Sequence, residues 1–148
     1  MRSIFTTLAL LFGALLSGAA APAPSRYAAE QVWEYRHRPQ DAGSLLKIQK
    51  VEDGGKLGPI YHLSVIHIGF RNTAIAGVLP HTPVSQATLD ASVTQLSDAV
   101  AEWPDVEPGI AQWRQDQGGV FTIPVAQIVQ IIDDQTAGAP APPPPTAH

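Results

Sequence analysis

The polarity pattern of the first half of the chain predicts extended strands. Residues 31–37 alternate between an aromatic face and a charged face, which is the period-two pattern of a strand. Residues 45–51 resume an extended pattern after a turn rich in proline, aspartate and glycine, so the two segments predict an antiparallel hairpin. Residues 60–68 are apolar on both faces, which is typical of a strand inside a sheet.

Helical periodicity appears in the second half. Ser85 is placed as an N-cap, and the helix predicted after it carries an apolar stripe of Leu89, Val93, Leu96 and Val100. Residues 69–83 before it look irregular, because glycine and prolines interrupt any period. A short helix is predicted over residues 109–117.

The last elements are a short strand and a helix. Residues 120–123 predict the strand, and Pro124 then opens a helix whose apolar positions recur through Ile132. Strands first and helices mostly afterwards indicate an α+β domain. We expect a mainly antiparallel sheet of about four strands, packed on one face by two or three helices.

The two ends of the chain differ from this globular part. Residues 1–19 combine a positive start, an apolar run and small residues, which is the order of a cleavable signal peptide. The apolar run is shorter than the roughly 20 residues that span a bilayer. We therefore predict one α+β domain over residues 26–136 and a disordered proline-rich tail over residues 137–148.

Charge and cysteine content narrow the class of partner. Removal of residues 1–19 takes Arg2 away and leaves 8 Lys and Arg against 13 Asp and Glu, a net charge of −5. An acidic chain repels phosphate backbones and anionic lipids, so we expect neither a nucleic acid partner nor insertion into a membrane after cleavage. The chain has no cysteine, so it can form no disulfide.

Histidines are the first candidates for chemistry. His37, His62, His67 and His81 could serve as bases or as zinc ligands. His62 and His67 are five residues apart and point to opposite faces of a regular strand, so they cannot share one metal ion unless a bulge intervenes. Either His62 or His67 with His81 stays possible, but no acidic residue completes a familiar metal motif, and we predict neither a metal nor another cofactor.

The other chemical patterns are weaker. Ser64 lies two residues after His62 on the same strand face, which sets the side chains side by side instead of donor to acceptor. Trp33, Arg36 and Arg38 are the kind of side chain that anchors protein interfaces. Trp33 also fits a core position on an alternating strand, which is the interpretation that we favour.

Four segments carry a resemblance to other proteins: residues 31–39, 44–52, 60–65 and 79–85. Together they resemble a recurrent group of small bacterial proteins that has no known activity, over most of residues 31–125. The resemblance implies that His62 and residues 80–83 belong to the pattern of the group. It transfers no functional residue.

Two hypotheses of function follow from the sequence. The first is an exported protein, periplasmic or secreted, that binds an envelope protein without catalysis, in the manner of an inhibitor or immunity protein. The second is a metal-binding protein or hydrolase whose site gathers His62, His81 and His37. Candidate binding residues are His62, His81, His37, Trp33, Arg36 and Arg38, none of which we assign to catalysis, and the oligomeric state stays open.

Overall fold

A computed structural model of the protein describes residues 25–140. The signal peptide predicted at residues 1–19 lies outside this part of the chain, as do residues 141–148 of the predicted tail. Within residues 25–140, no helix combines the length and the apolar character needed to cross a membrane.

The described residues form one five-stranded sheet. Its strands are β1 (Val32–Tyr35), β2 (Leu45–Asp53), β3 (Pro59–Ile66), β4 (Leu79–Ser85) and β5 (Val93–Leu96). Their order is β4-β3-β2-β1-β5, and every pair of neighbours is antiparallel. The predicted α+β class and antiparallel sheet are confirmed, with five strands instead of about four.

Three helices accompany the sheet: α1 (Gln86–Ser92), α2 (Glu107–Gln115) and α3 (Val125–Thr136). The predicted cap of α1 is present, because the Ser85 hydroxyl accepts a hydrogen bond from the Thr88 amide at 3.3 Å. Pro124 directly precedes α3, where its missing amide hydrogen leaves no helical hydrogen bond unmade.

Alternation along the strands divides buried residues between the two faces of the sheet. Tyr61 and Leu63 of β3 pack in the main core with residues of β1, β2, α1 and α3. His62 and Ser64 alternate with them and are also fully buried, so they point to the opposite face. That second face is where α2 lies, with its Trp113 ring against His62.

The helix predicted to continue from Ser85 to Val100 is wrong beyond Ser92. The chain turns from α1 directly into β5, where Val93 pairs with Tyr35 and Leu96 pairs with Trp33 of β1. The apolar spacing fits a helix, but as a strand these residues make backbone hydrogen bonds with β1 at the edge of the sheet. Tertiary contacts therefore override the local pattern.

The irregular course predicted for residues 69–83 is also wrong for the part that forms β4. Prolines are tolerated there because β4 is an edge strand, whose outward amides need no partner in the sheet. The strand predicted over residues 120–123 is reduced to one bridge, in which the Phe121 amide donates to the Pro83 carbonyl at 3.0 Å.

Candidate functional site

The structure brings His62 and His81 together. His62 lies on β3 opposite Pro83 of β4, and His81 is two residues before Pro83, so it shares the face of His62. The His62 Nδ1 and His81 Nε2 atoms are 2.8 Å apart, which is a hydrogen bond between two imidazoles. His62 is fully buried and His81 is half-buried.

A carboxylate and a guanidinium extend this series of polar contacts on the far side of His62. Glu52 of β2 places its Oε1 atom 3.2 Å from His62 Nε2, and Arg114 of α2 places Nη2 2.5 Å from Glu52 Oε2. The contact at His62 Nε2 is close but poorly directed for a hydrogen bond. Among the described residues, this atom is the one fully buried side-chain nitrogen or oxygen without a hydrogen-bond partner.

Helix α2 covers the two imidazoles. The Trp113 ring meets His62 edge to face at 5.1 Å and lies 6.4 Å from the His81 ring, between centroids. Gly109 packs so closely on His81 that an added Cβ atom would lie 2.3 Å from His81 Cβ. We call Glu52, His62, His81, Trp113 and Arg114 the histidine cluster.

Burial controls the charge of the histidine cluster. Burial lowers the pKa of His81 to about 4, and the neighbouring His62 contributes to that shift. Burial also lowers the pKa of His62, although Glu52 acts in the opposite direction. Burial raises the pKa of Glu52, but Arg114 and His62 together outweigh it and leave that pKa lowered. At neutral pH the cluster therefore holds two neutral imidazoles beside an ionised carboxylate.

Ser64 is engaged elsewhere. Its hydroxyl donates to the Pro80 carbonyl at 2.7 Å and accepts from the Gln49 side chain at 3.2 Å. The proton of Ser64 is thus directed away from His62. The side-by-side placement that the strand pattern predicts does not become a nucleophile and base pair.

The geometry also bears on a shared metal site. The nitrogens of His62 and His81 that face each other make a hydrogen bond instead of pointing to a common ion. Across residues 25–140, no group of three or more histidine, aspartate or glutamate side chains is arranged to hold a metal ion.

His37 and Arg36 lie away from the histidine cluster. His37 follows β1 at the end of the sheet where β2 begins, whereas His62 pairs with Lys50 near the other end of β2. His37 is exposed and lines a cavity of about 270 Å³ with Glu34. Arg36 is exposed and donates to the Ala91 carbonyl at 3.0 Å.

Two other predicted binding residues, Trp33 and Arg38, are buried in the fold. Trp33 is 4% exposed and lies in the main core, so its ring is not free for a partner. Arg38 is 8% exposed and pairs with two fully buried carboxylates. Neither side chain is presented to solvent.

Arg38 is the centre of a buried ion network. Its Nε atom lies 2.7 Å from Asp41 Oδ2, and its Nη1 atom lies 2.8 Å from Asp133 Oδ2. The Asp133 carboxylate also accepts from the Arg71 amide at 2.9 Å, and Asp41 accepts from the Gly69 amide at 2.8 Å. The Arg71 amide and both guanidinium groups hold the pKa of Asp133 below its usual range, although burial acts against them. This network ties α3 to the loops before β2 and after β3.

Glu52 and Arg114 are the residues of the cluster that the sequence does not indicate. Glu52 ends an extended run and looks like part of a turn, and a strand irregularity between Ile48 and Lys50 sets which residue reaches His62. Arg114 joins Glu52 only because α2 lies on the second face of the sheet. Strict alternation from Leu46 and Ile48 would place Glu52 on the main-core face, and the irregularity after Ile48 moves it to the face of His62, so the sequence pattern gives no signal for this contact.

Comparison with models of protein families, with curated proteins and with solved structures finds no match to this chain.

Proposed function

We propose that this chain is an exported binding protein that recognises another envelope protein without catalysis, through the surface formed by His81, Trp113 and Arg114. The observation that carries the proposal is the polar chain from Arg114 through Glu52 and His62. It is buried in its middle and ends at half-buried His81.

The free energy cost of this polar chain supports a function beyond packing. A carboxylate and two imidazoles lose hydration when they are buried, which costs free energy. The poorly directed contact at His62 Nε2 compensates for only part of that cost. Apolar side chains would fill the space between α2 and the sheet without that cost. Ionisable groups with shifted pKa values gather at functional sites more often than elsewhere.

The residue types around His81 support a protein partner. Tryptophan and arginine contribute a large share of binding energy in protein interfaces. Trp113 is half-buried, and the Arg114 side chain is 51% exposed, so both can be reached from solvent. The engagement of Ser64 with Pro80 favours binding over hydrolysis at this place.

Export is the second part of the proposal and rests on residues 1–19. We expect the protein from an envelope or culture fraction to begin at residue 20 or 21, because cleavage there leaves small residues before the cut. Mass spectrometry of the intact protein decides this. A chain that starts at Met1 and stays with the cytoplasmic fraction would overturn the proposal of export.

Affinity capture tests the binding site. The wild-type protein and the H81Q and H67Q variants would each be used as bait in envelope extract of the source organism. His67 is an exposed histidine outside the cluster and serves as the matched control. We expect one protein to be retained in near-stoichiometric amount by wild type and H67Q, and at least about tenfold less by H81Q, a loss of about 1.4 kcal/mol. Equal retention by H81Q would remove the site from consideration.

A histidine-based metal or hydrolase site is the second candidate. It is favoured by His81 Nδ1, which makes no hydrogen bond to any other described residue. Addition of Zn²⁺ to the purified protein would raise its melting temperature if His81 ligates the ion, and H81Q would abolish the rise. Unchanged melting of the wild type with Zn²⁺ would leave the binding proposal as the better account.

A further inference from the structure

We infer that Glu52 fixes the tautomers of both histidines, so that His81 presents an unprotonated Nδ1 atom and selects a partner group with an O–H or N–H donor. This inference rests on the proposed function and specifies the chemistry of the contact. It follows from the order of four groups along the histidine cluster.

The first step is the tautomer of His62. Its Nε2 atom lies 3.2 Å from the Glu52 carboxylate, which is ionised and can only accept hydrogen bonds. A lone pair on Nε2 would face that negative charge, whereas a proton there is attracted to it even in imperfect geometry. Arg114 holds the carboxylate in place from the other side. Neutral His62 therefore carries its proton on Nε2 and has a lone pair on Nδ1.

The second step is the tautomer of His81, which follows from that of His62. The two imidazoles share one hydrogen bond between His62 Nδ1 and His81 Nε2 at 2.8 Å. Because His62 Nδ1 is the acceptor, His81 Nε2 must be the donor. Neutral His81 then has its proton on Nε2, and its Nδ1 atom is a hydrogen-bond acceptor.

The third step concerns access to that acceptor. His81 Nδ1 makes no hydrogen bond within residues 25–140, yet it is not among the fully buried atoms without a partner, so solvent reaches it. Gly109 has no side chain on this side of His81, where an added Cβ atom would lie 3.1 Å from Nδ1. A backbone amide, a hydroxyl or a protonated amine of a partner can donate to this nitrogen, whereas a carboxylate cannot.

Long-range ¹H–¹⁵N correlation spectra of the ¹⁵N-labelled protein, recorded at pH 7.5 without any partner, test the tautomers directly. We expect protonated Nε2 and unprotonated Nδ1 in both His62 and His81. Protonated Nδ1 in His81 would overturn the inference. That result would not affect the proposed function, provided that H81Q still retains much less of the captured protein than wild type does.

Glu52→Gln supplies the matched perturbation. The side-chain amide that it introduces can donate a hydrogen bond to His62 Nε2. The donor and acceptor roles then reverse in both hydrogen bonds of the series, which puts the His81 proton on Nδ1. Glu107→Gln removes an exposed carboxylate of α2 whose ion-pair partner is Lys50, at 3.6 Å, and should leave both tautomers unchanged. Unchanged tautomers in E52Q would show that Glu52 does not set the direction.

A pair of substitutions at His81 tests the acceptor itself in envelope extract. In H81N the new side-chain oxygen can occupy the place of Nδ1, whereas in H81Q the longer side chain reaches the place of Nε2. We expect H81N to retain several-fold more of the captured protein than H81Q. Equal or lower retention by H81N would exclude Nδ1 as the contact, and equal retention by wild type and H81Q would instead refute the proposed function.

Discussion

The neutral state of His62 and His81 couples the stability of the fold to pH. Their pKa values are lower in the folded protein than the ordinary value of 6.5, and that of His81 is about 4. The unfolded chain therefore takes up protons first as the pH falls, which favours unfolding. We expect the free energy of unfolding to decrease between about pH 6.5 and pH 4, by at most about 1.4 kcal/mol per pH unit for each imidazole.

Urea unfolding at several pH values measures this dependence. H81Q removes one imidazole but can keep a hydrogen bond to His62, so its stability should fall less steeply over the same range. Glu52 and Asp133, whose pKa values are also lowered, add their loss at lower pH. A flat profile of the wild type between pH 6.5 and pH 5 would contradict the proposed charge state.

Arg38 and Arg36 are expected to differ in how much each contributes to the stability of the fold. Arg38→Ala leaves Asp41 and Asp133 buried with fewer counter-charges, and we expect a loss of about 3 kcal/mol in the free energy of unfolding. Arg36→Ala removes one exposed hydrogen bond and should change stability by about 0.5 kcal/mol or less. Chemical denaturation of both variants gives the comparison, and similar losses would mean that the buried network is not what Arg38 supports.

At the scale of elements, the contact between α2 and β4 depends on a missing side chain. Gly109→Ala would put a Cβ atom 2.3 Å from His81 Cβ, so α2 must move away from the sheet. We expect a destabilisation of about 1–3 kcal/mol together with a change in Trp113 fluorescence. Gly119→Ala is the control, because nothing lies within 4 Å of its added Cβ atom. If both variants unfold at the same urea concentration as wild type, α2 is not held against His81.

The sequence predicts those elements whose local pattern agrees with their environment. β2 and β3 follow their polarity pattern, and the cap at Ser85 and the proline before α3 mark two helix starts correctly. The pattern does not reveal β5, because its apolar spacing also suits a helix. It does not reveal β4 either, because prolines are compatible with a strand only at a sheet edge, and strand order depends on contacts between distant segments.

For the whole molecule, α2 and the main core form separate layers on the two faces of the sheet. The α2 layer is held by Ile110, the histidine cluster and an exposed pair of Lys50 and Glu107, whereas the main core packs apolar residues of α1, α3 and the sheet. When the α2 layer opens, His62 and His81 regain the ordinary imidazole pKa of about 6.5 and take up protons, so a falling pH favours this opening. We expect the amides of α2 to lose protection from hydrogen exchange between pH 7 and pH 5, before those of β3.

Hydrogen exchange with mass spectrometry, corrected for the intrinsic effect of pH, resolves the two layers. H81Q should keep α2 protected to a lower pH than wild type. Simultaneous loss of protection in α2 and β3 would mean that the two layers unfold as one unit.

The candidate site could be predicted only in part at this scale. His62 and His81 can be identified from the chain as imidazoles, since His62 lies in a predicted strand and His81 lies in the segment before the predicted cap at Ser85. Glu52 and Arg114 could not be assigned to them, because their meeting depends on a strand irregularity and on the path of residues 97–106 to the second face. The position of Arg38 could not be predicted, because a sequence does not show that a charged side chain will be buried with Asp133.

The junction of α1 and β5 also limits how this chain can vary in length. No residue separates the two elements, and Val93 is both the C-cap of α1 and the first residue of β5. One inserted residue would turn Val93 and the positions after it to the other face of the sheet. Insertions and deletions in natural variants are therefore expected between β3 and β4 or between β5 and α2, and not at this junction.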